Sequence, residues 1–409
     1  MKINEMIARM VLDSRGNPTV ECEMHNSYTG VRAIVPSGKS TGKHEAVELR
    51  DKKSSFNGMG VEKAVKNINK IIKKNIINKD WEQETLDNFL IKLDNTENKS
   101  RLGANAILAV SMAFARLNAM SKNDELFFYL QKITGNKKIS LPIPFCNVIN
   151  GGVHAGNDLM MQEFMIVPKA GSFKENTRII SETYHELKRI IRKKYGKNAV
   201  NVGDEGGFAP PIETAEEALD LLMKAIINSK HKSQLRIAMD CAASDFYKKG
   251  KYEIEKNSYV SAEELGNYYI KLIKKYPIVS IEDPFAEDDF EAWNKFMEKI
   301  NKRNIQVVGD DLLVSNKKRI EEAAEKKLCN GLLLKPNQIG TVTEAIEAAK
   351  SAMKNNWNVM VSHRSGETED TFICDLAVAL NCKQIKIGAP CRGERTCKFN
   401  RLLRIEELI

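Results

Sequence analysis

Six polar residues recur in the second two thirds of the chain, each at or directly after the end of a short apolar run. They are Asp240, Glu282, Asp310, Lys335, His363 and Lys386. Neighbouring members are about one strand–helix unit apart, roughly 30 residues. Polar groups at the carboxyl ends of many different strands can converge only if the sheet closes on itself. The spacing therefore predicts a parallel barrel with its site on that face, rather than an open doubly wound sheet.

Eight apolar runs separated by helix-length segments support this α/β interpretation. The predicted strands cover residues 145–149, 163–167, 236–239, 278–281, 305–308, 331–334, 359–362 and 385–387.

The first third of the chain has a different pattern. Turn residues at 14–18 and 26–30 interrupt β-favouring stretches, which predicts a small antiparallel meander of three strands. Helical periodicity follows at residues 61–77, 81–93 and 103–120. We therefore expect an α+β domain over residues 1–135 and a barrel domain over residues 139–409, joined by a polar connector.

Composition and charge argue against a nucleic-acid-binding, a membrane-spanning or a secreted protein. The 409 residues carry a net charge of +9, and basic clusters such as 192–194 and 317–319 lack interleaved aromatics, so we expect no nucleic-acid partner. The most apolar stretch, residues 104–115, is too short for a membrane span. The eight cysteines form no Cys-x-x-Cys pair, which indicates reduced thiols, and the first residues show no secretory signal. These features predict a cytoplasmic location.

Three of the six recurring residues are carboxylates. Asp240, Glu282 and Asp310 would repel one another on neighbouring strand ends unless a cation lay between them, and oxygen ligands favour Mg²⁺. The alternative is that they are three unrelated helix N-caps.

Lys335 ends a strongly apolar run. Next to a metal and Lys386 its pKa should be lowered, so that it could act as a general base; alternatively it extends from the strand end into solvent. Lys386 could instead hold an anionic group of a substrate. Glu205, in a glycine-flanked loop, and Glu163, which opens an apolar run, form a candidate acid pair.

Further candidates lie on loops. His154 is in a glycine-rich loop, and Arg364 with Ser365 forms a cluster suited to phosphate. The segment Pro36-Ser37-Gly38-Lys39-Ser40-Thr41-Gly42, within a predicted lid loop over residues 36–44, is typical of a mobile lid over an anionic ligand, or of a surface linker. It lacks the glycine spacing of a nucleotide phosphate loop.

Seven motifs, in order along essentially the whole chain, resemble the enolase family in its archaeal and bacterial form. They are residues 12–18, the lid segment (residues 36–44), and residues 102–108, 202–210, 280–284, 361–368 and 384–386. The resemblance implies a TIM-like barrel opening ββαα before six βα units, capped by the N-terminal domain. It also implies that the apolar run at residues 198–202 is a loop.

The resemblance further implies a phosphopyruvate hydratase, a lyase that reversibly dehydrates 2-phospho-D-glycerate to phosphoenolpyruvate in glycolysis and gluconeogenesis. Lys335 would be the base at C2 and Glu205 the acid at the C3 hydroxyl, assisted by Glu163. Cations at the developing enolate are the main requirement of such chemistry.

The remaining implied roles concern metal and substrate. Asp240, Glu282 and Asp310 would hold a first Mg²⁺, and Ser40 would join a second when the lid closes. The implied substrate contacts are Arg364 and Ser365 to phosphate, Lys386 to carboxylate, and Gln162, His154 and His363 around them.

Two positions depart from the family pattern: Lys39 in the lid, where alanine is usual, and Cys241 after Asp240. The alternatives are another superfamily enzyme, such as a racemase or cycloisomerase, and a non-catalytic scaffold or surface-binding role. The lid with Ser40 and the Arg364–Ser365 pair favour a phosphorylated substrate. The resemblance also implies a homodimer or homo-octamer and leaves a second location at the cell surface open.

Overall fold

A computed structural model describes residues 1–39, 42–52, 54–300 and 303–409. Its N-terminal part opens with an antiparallel sheet in the order β1 (Glu5–Leu12), β2 (Pro18–His25), β3 (Gly30–Ile34). The first turn is closed by the Asp13 carboxylate, which accepts hydrogen bonds from the backbone N–H groups of Arg15 and Asn17 at 2.8 and 2.9 Å. The predicted meander is confirmed.

Helices follow the meander and pack against it. Their bounds are α1 (Glu62–Lys66), α2 (Lys73–Ile76), α3 (Gln83–Asp94), α4 (Ala104–Ser121) and α5 (Leu126–Thr134), with a π-helical turn at Asn67–Ile72 joining α1 to α2. Helix α4 is buried on almost every side and packs on β2 and β3. The sequence analysis missed α5, because its apolar residues 126–130 form a nearly continuous run without clear periodicity.

The second part is a closed barrel of eight strands. In chain order these are β4 (Ile143–Asn150), β5 (Glu163–Pro168), β6 (Leu235–Asp240), β10 (Ile278–Glu282), β11 (Gln306–Gly309), β12 (Gly331–Leu334), β13 (Asn358–Ser362) and β14 (Gln384–Lys386). A separate three-stranded sheet follows β6 in the chain and comprises β7 (Tyr247–Lys248), β8 (Lys251–Glu255) and β9 (Ser258–Val260). The sequence analysis did not predict it.

Helices alternate with the later strands of the barrel. They are α6 (Phe173–Tyr195), α7 (Ala215–Asn228), α8 (Ala262–Lys275), α9 (Phe290–Ile300), α10 (Lys317–Glu325), α11 (Pro336–Ile339), α12 (Val342–Lys354), α13 (Phe372–Ala379) and α14 (Gly393–Glu406). Two strands precede two helices before the regular units begin, so the ββαα(βα)6 order is confirmed. Residues 198–202 hold the end of a 3-10 turn and an isolated bridge rather than a barrel strand.

One strand runs against the rest. β5 is antiparallel to both of its neighbours, and Glu163 at its start pairs with Asp240 at the end of β6. Because of this reversal, a residue that opens its strand reaches the same end of the barrel as residues that close theirs. The barrel interior beneath that end is filled by apolar side chains from separate strands, including Phe145, Leu333 and Met360.

The meander-and-helix part contacts the barrel through buried polar groups. Arg116 on α4 donates two hydrogen bonds of 2.6 Å to the Asp370 carboxylate, and Asp370 also accepts from the backbone N–H of Ile34 at 2.9 Å. Asp87 on α3 accepts from the backbone and side chain of Thr343 at the start of α12. Within the described residues, no helix has the length and apolarity that a membrane crossing requires.

Candidate active site

One pocket at the carboxyl end of the barrel brings most of the predicted site residues together. It is lined by His154, Gln162, Glu163, Glu205, Asp240, Lys335, Ser362, His363, Arg364, Ser365 and Lys386. Glu282 and Asp310 lie beside it, in contact with Lys386 and Lys335. Every predicted catalytic and substrate-binding residue therefore lies at this pocket. Ser40, the predicted ligand of a second metal ion, lies outside the described residues.

Lys386 lies at the centre of the acidic groups. Its Nζ is 2.8 Å from Asp240 Oδ2, 2.9 Å from Glu282 Oε1 and 3.0 Å from Glu163 Oε2. Burial would lower the pKa of Lys386, but the surrounding carboxylates raise it well above its ordinary value. The side chain is thus a fixed, buried positive charge among three carboxylates.

Lys335 follows β12 and contacts the Asp310 carboxylate directly. Burial would lower the pKa of Lys335, but the charge of Asp310 outweighs burial and raises it. The lowered pKa expected for Lys335 next to a metal ion stays a prediction, and the pairing of Lys335 with Asp310 could not be read from the sequence. A cation that took up Asp310 would remove the contact that keeps Lys335 charged.

The three predicted metal ligands lie at the same end of three adjacent strands, β6, β10 and β11. Glu282 is in register with Asp240 of β6 and with Val308 of β11, two residues before Asp310. All their donor atoms are carboxylate oxygens, and Glu282 Oε2 is buried without a hydrogen-bond partner among the described residues. An unpartnered buried oxygen in an all-oxygen set fits a hard divalent cation such as Mg²⁺.

A fourth carboxylate, that of Asp283, lies beside the predicted metal ligands, and the sequence analysis missed it as a site residue. The Asp283 carboxylate accepts the backbone N–H groups of Asp310 and Asp311 at 2.8 and 2.9 Å. Ligand atoms of these three aspartates lie within 4.8 Å of one another. The sequence signal that could have identified Asp283 is its position directly after Glu282. Asp283 fixes the turn that carries Asp310.

On the opposite wall, two carboxylates lie close to two histidines. Glu205 Oε1 is 3.5 Å from His154 Nδ1, and Glu205 Oε2 is 3.4 Å from His363 Nε2. Glu205 Oε2 also accepts a 3.1 Å hydrogen bond from the side-chain amide of Asn147 on β4, a contact that sequence reasoning missed. Gly206, with φ +84, is needed beside Glu205, since a Cβ there would lie 2.8 Å from the carbonyl oxygen of Cys391.

The two carboxylates differ in their affinity for protons. Burial and the charge of Glu205 raise the pKa of Glu163 well above its ordinary value. Burial would also raise the pKa of Glu205, but His363 and His154 lower it well below the ordinary value. Neighbouring carboxylates with divergent pKa values can retain one proton between them near neutral pH.

The third wall carries the predicted phosphate-binding cluster. The buried Arg364 guanidinium donates to the Glu45 carboxylate at 3.0 and 3.2 Å and to the Asn337 side-chain oxygen at 3.2 Å. Glu45 follows the lid segment and was not predicted. Its carboxylate fixes the direction in which the guanidinium points.

The lid segment reaches this wall at several points. Ser37 and Gly366 exchange backbone hydrogen bonds of 2.8 and 2.9 Å. The backbone N–H of Lys39 donates to Ser365 Oγ at 2.9 Å, while its Nζ lies 3.2 Å from Asp204 Oδ2. The lid segment therefore contacts both the phosphate-binding cluster and the loop that carries Glu205. Cys241 is fully buried, consistent with packing.

Comparison with known proteins agrees with this architecture. The family model described as "Enolase, N-terminal domain" matches residues 3–130, and the one described as "Enolase, C-terminal TIM barrel domain" matches residues 138–409. Together they cover nearly the whole chain, with the barrel and the preceding α+β part in the order of the fold. The chain belongs to the enolase family.

Proposed function

We propose that this protein is a Mg²⁺-dependent lyase that interconverts 2-phospho-D-glycerate and phosphoenolpyruvate in glycolysis and gluconeogenesis. The observation that supports the proposal is that Lys335, the proposed base, and Glu163, part of the proposed acid pair, lie on opposite walls of the barrel. Lys335 follows β12 and Glu163 opens β5, and these strands are four positions apart in a ring of eight. A small substrate between them would meet a base on one face and an acid on the other.

The first step is removal of the C2 proton by Lys335. The C–H electron pair moves into the adjacent carboxylate, which then carries a second negative charge. That charge makes the proton very weakly acidic in water, so fixed cations must stabilise the product. Lys386, held among carboxylates, is the cation of this chain proposed to bind the substrate carboxylate.

Asp240, Glu282 and Asp310 would hold Mg²⁺ at the same wall. When bound, the ion supplies positive charge to the carboxylate oxygens as the second negative charge develops. Occupation of Asp310 would also release Lys335 from its carboxylate partner. We propose a second ion with Ser40 as a ligand, as the family resemblance implies.

The second step is loss of the C3 hydroxyl group. The C2 electron pair forms the double bond, the C3–O bond breaks, and the leaving oxygen takes a proton from Glu205 to depart as water. Glu205 and Glu163 are proposed to hold one proton between them, so that Glu163 supplies to Glu205 the proton that Glu205 then donates. His154 and Gln162 border the same wall.

The phosphate wall favours this reaction over a racemase or cycloisomerase of the same superfamily. Arg364, Ser365 and the backbone of the lid segment present donors at one place, which suits a phosphate group. The proposed partners are accordingly small phosphorylated acids. We also propose that the two domains span residues 1–135 and 139–409. A homodimeric or homo-octameric state and a cytoplasmic location stay proposals as well.

The test is to follow absorbance of phosphoenolpyruvate formed from 2-phosphoglycerate, with Mg²⁺ and after EDTA treatment. We expect turnover with Mg²⁺ and loss of turnover without it. Racemisation or cycloisomerisation of a non-phosphorylated acid, with no phosphoenolpyruvate formed, would contradict the proposal. Full activity in metal-free buffer would reject the metal site.

A further inference from the structure

A buried arginine outside the predicted site lies behind His363. Arg395, in the first turn of α14, is fully buried, and its guanidinium is enclosed by the loops that carry the acid and the phosphate-binding cluster. Its Nη1 lies 2.5 Å from His363 Nδ1 and donates at 2.6 Å to the carbonyl oxygen of Arg364. Its Nη2 donates to the carbonyl oxygens of Asp204 and Ser365 at 3.1 and 2.7 Å.

These four contacts account for the four terminal N–H groups of the guanidinium. Arginine has no acceptor and stays protonated in proteins, so every contact at its terminal nitrogens requires an acceptor opposite. His363 Nδ1 can fill that role only as an unprotonated nitrogen. In a neutral imidazole the proton must then be on Nε2.

The other side of the imidazole faces the acid. His363 Nε2 makes no hydrogen bond among the described residues and lies 3.4 Å from Glu205 Oε2. The backbone of Gly388 packs closely against both side chains, since a Cβ there would lie 3.0 Å from Arg395 Cδ and 3.1 Å from His363 Cε1. Separately, burial lowers the pKa of His363 to about 3, so the imidazole is neutral near pH 7.

We propose that Arg395 is a positioning residue that fixes His363 as the Nε2–H tautomer, so that the imidazole offers a donor to Glu205. In the opposite tautomer, the Nε2 lone pair would accept a hydrogen bond from protonated Glu205 and so compete with the leaving hydroxyl for that proton. The catalytic consequence rests on the proposed function. The tautomer itself follows from the contacts of Arg395 alone.

The direct test is NMR of the full chain labelled with ¹⁵N-histidine, which contains six histidines. Two-bond ¹⁵N–¹H correlations distinguish the two neutral tautomers and the imidazolium, and a His363→Asn sample identifies the signal. We expect His363 to be the Nε2–H tautomer near pH 7. An Nδ1–H tautomer or an imidazolium would overturn the proposal whatever the substrate is.

Variants then test whether Arg395 is the cause. Arg395→Met should leave His363 in a mixture of tautomers, with KM for phosphoglycerate nearly unchanged. It should lower kcat about tenfold, less than the roughly 10²–10⁴-fold expected for a group that transfers the proton itself, because Arg395 acts only through His363. The matched control is Arg50→Met, because Arg50 also donates to two backbone carbonyls, at Pro18 and Met59, without touching His363. It should leave the His363 signal unchanged.

The outcomes separate the two proposals. An unchanged His363 tautomer in folded Arg395→Met would overturn the role of Arg395. If Arg395→Met does not fold, the wild-type tautomer still decides whether the proposal stands. An Nε2–H tautomer in a protein that does not convert phosphoglycerate would support the tautomer assignment and contradict the proposed function.

Discussion

At the contact between the N-terminal part and the barrel, buried carboxylates are hydrogen-bonded to other groups of the protein. Asp370 receives both terminal nitrogens of Arg116 and a backbone N–H, and Asp87 receives the backbone and hydroxyl of Thr343. In the pocket, the lysines and Arg364 are also paired, but several other buried polar atoms lack a partner. Both ring nitrogens of His154, Glu282 Oε2 and Gln162 Oε1 have no hydrogen bond among the described residues.

The difference indicates two uses of buried polarity. A buried polar group without a partner costs free energy, so the pocket atoms become satisfied only when a ligand supplies the missing contacts. The carboxylates of Asp370 and Asp87 already have partners and contribute to stability. Substitutions at the interface should therefore lower the free energy of unfolding, and substitutions in the pocket should lower activity.

The largest expected contrast is between two lysines. Lys335→Ala should lower the dehydration rate by about 10²–10⁴-fold, because it removes the proposed base. Lys99→Ala removes a similarly buried lysine whose Nζ is 2.9 Å from Glu344 at the interface. It should lower stability by about 1–3 kcal/mol and leave kcat nearly unchanged. Steady-state kinetics and denaturant unfolding of both variants would check this; equal losses of activity would contradict the comparison.

The interface carboxylate gives the next largest effect. Asp370→Asn should cost about 3 kcal/mol of unfolding free energy, because Arg116 is left with a neutral partner. The exposed Asp80→Asn, with a side chain 83% exposed, should stay within about 0.5 kcal/mol of wild type. Urea unfolding of both variants measures the difference, and a cost for Asp370→Asn as small as that for Asp80→Asn would refute the proposed role of the pair.

The same pair predicts a pH dependence. Burial would raise the pKa of Asp370, but Arg116 lowers it below its ordinary value. The stabilisation should therefore be fully present above about pH 5 and be lost as the pH falls through the folded-state pKa. Measured by unfolding at several pH values, the gap between wild type and Asp370→Asn should shrink only below about pH 4. A gap that closed between pH 6 and 8 would point to a different group.

Loss of one proposed ligand should lower the affinity for Mg²⁺, by a smaller factor than the loss of activity expected for Lys335→Ala. Asp310→Asn should weaken Mg²⁺ binding at least as much as loss of an outer-shell partner does, about 10–100-fold. Calorimetric titration with Mg²⁺ measures this, with Asp80→Asn as the control. Unchanged Mg²⁺ affinity in Asp310→Asn would remove Asp310 from the proposed ligand set.

The smallest effect concerns the lid segment. The Lys39 side chain is 42% exposed and pairs with Asp204. Its positive charge would attract the substrate phosphate, but only weakly, because exposed charges contribute little. Lys39→Ala should therefore raise KM for 2-phosphoglycerate by no more than about fivefold, with little change in kcat. Added salt should shrink the difference because exposed charges are screened. The control is Lys43→Ala, in the same segment but paired with Asp288. An unchanged or lowered KM in Lys39→Ala would exclude a contribution of Lys39 to substrate binding.

Much of the fold and of the site could be predicted, because apolar runs recur at regular intervals along the chain and polar residues stand at the ends of these runs. Strand ends recur at regular distances, so Asp240, Glu282 and Lys335 could be assigned to one face of a barrel before any contact was known. The reversal of β5 could not, because a strand's direction depends on its pairing and not on its residues.

Contacts between distant segments were also hidden from the sequence. Arg395 looks like any charged residue in the first turn of a helix, and only the fold places it 2.5 Å from His363. Glu45 likewise lies 319 positions from Arg364 along the chain. The raised pKa of Lys335 has the same origin, since its contact with Asp310 arises from two separate strand ends.

The most direct test of the account is exchange of the substrate C2 proton with solvent deuterium, followed by NMR in two variants. Glu205→Gln should block formation of phosphoenolpyruvate but retain C2 exchange, because the base on the opposite wall is intact. Lys335→Ala should lose both. Exchange that survived in Lys335→Ala and vanished in Glu205→Gln would reverse the assignment of base and acid and contradict the central claim.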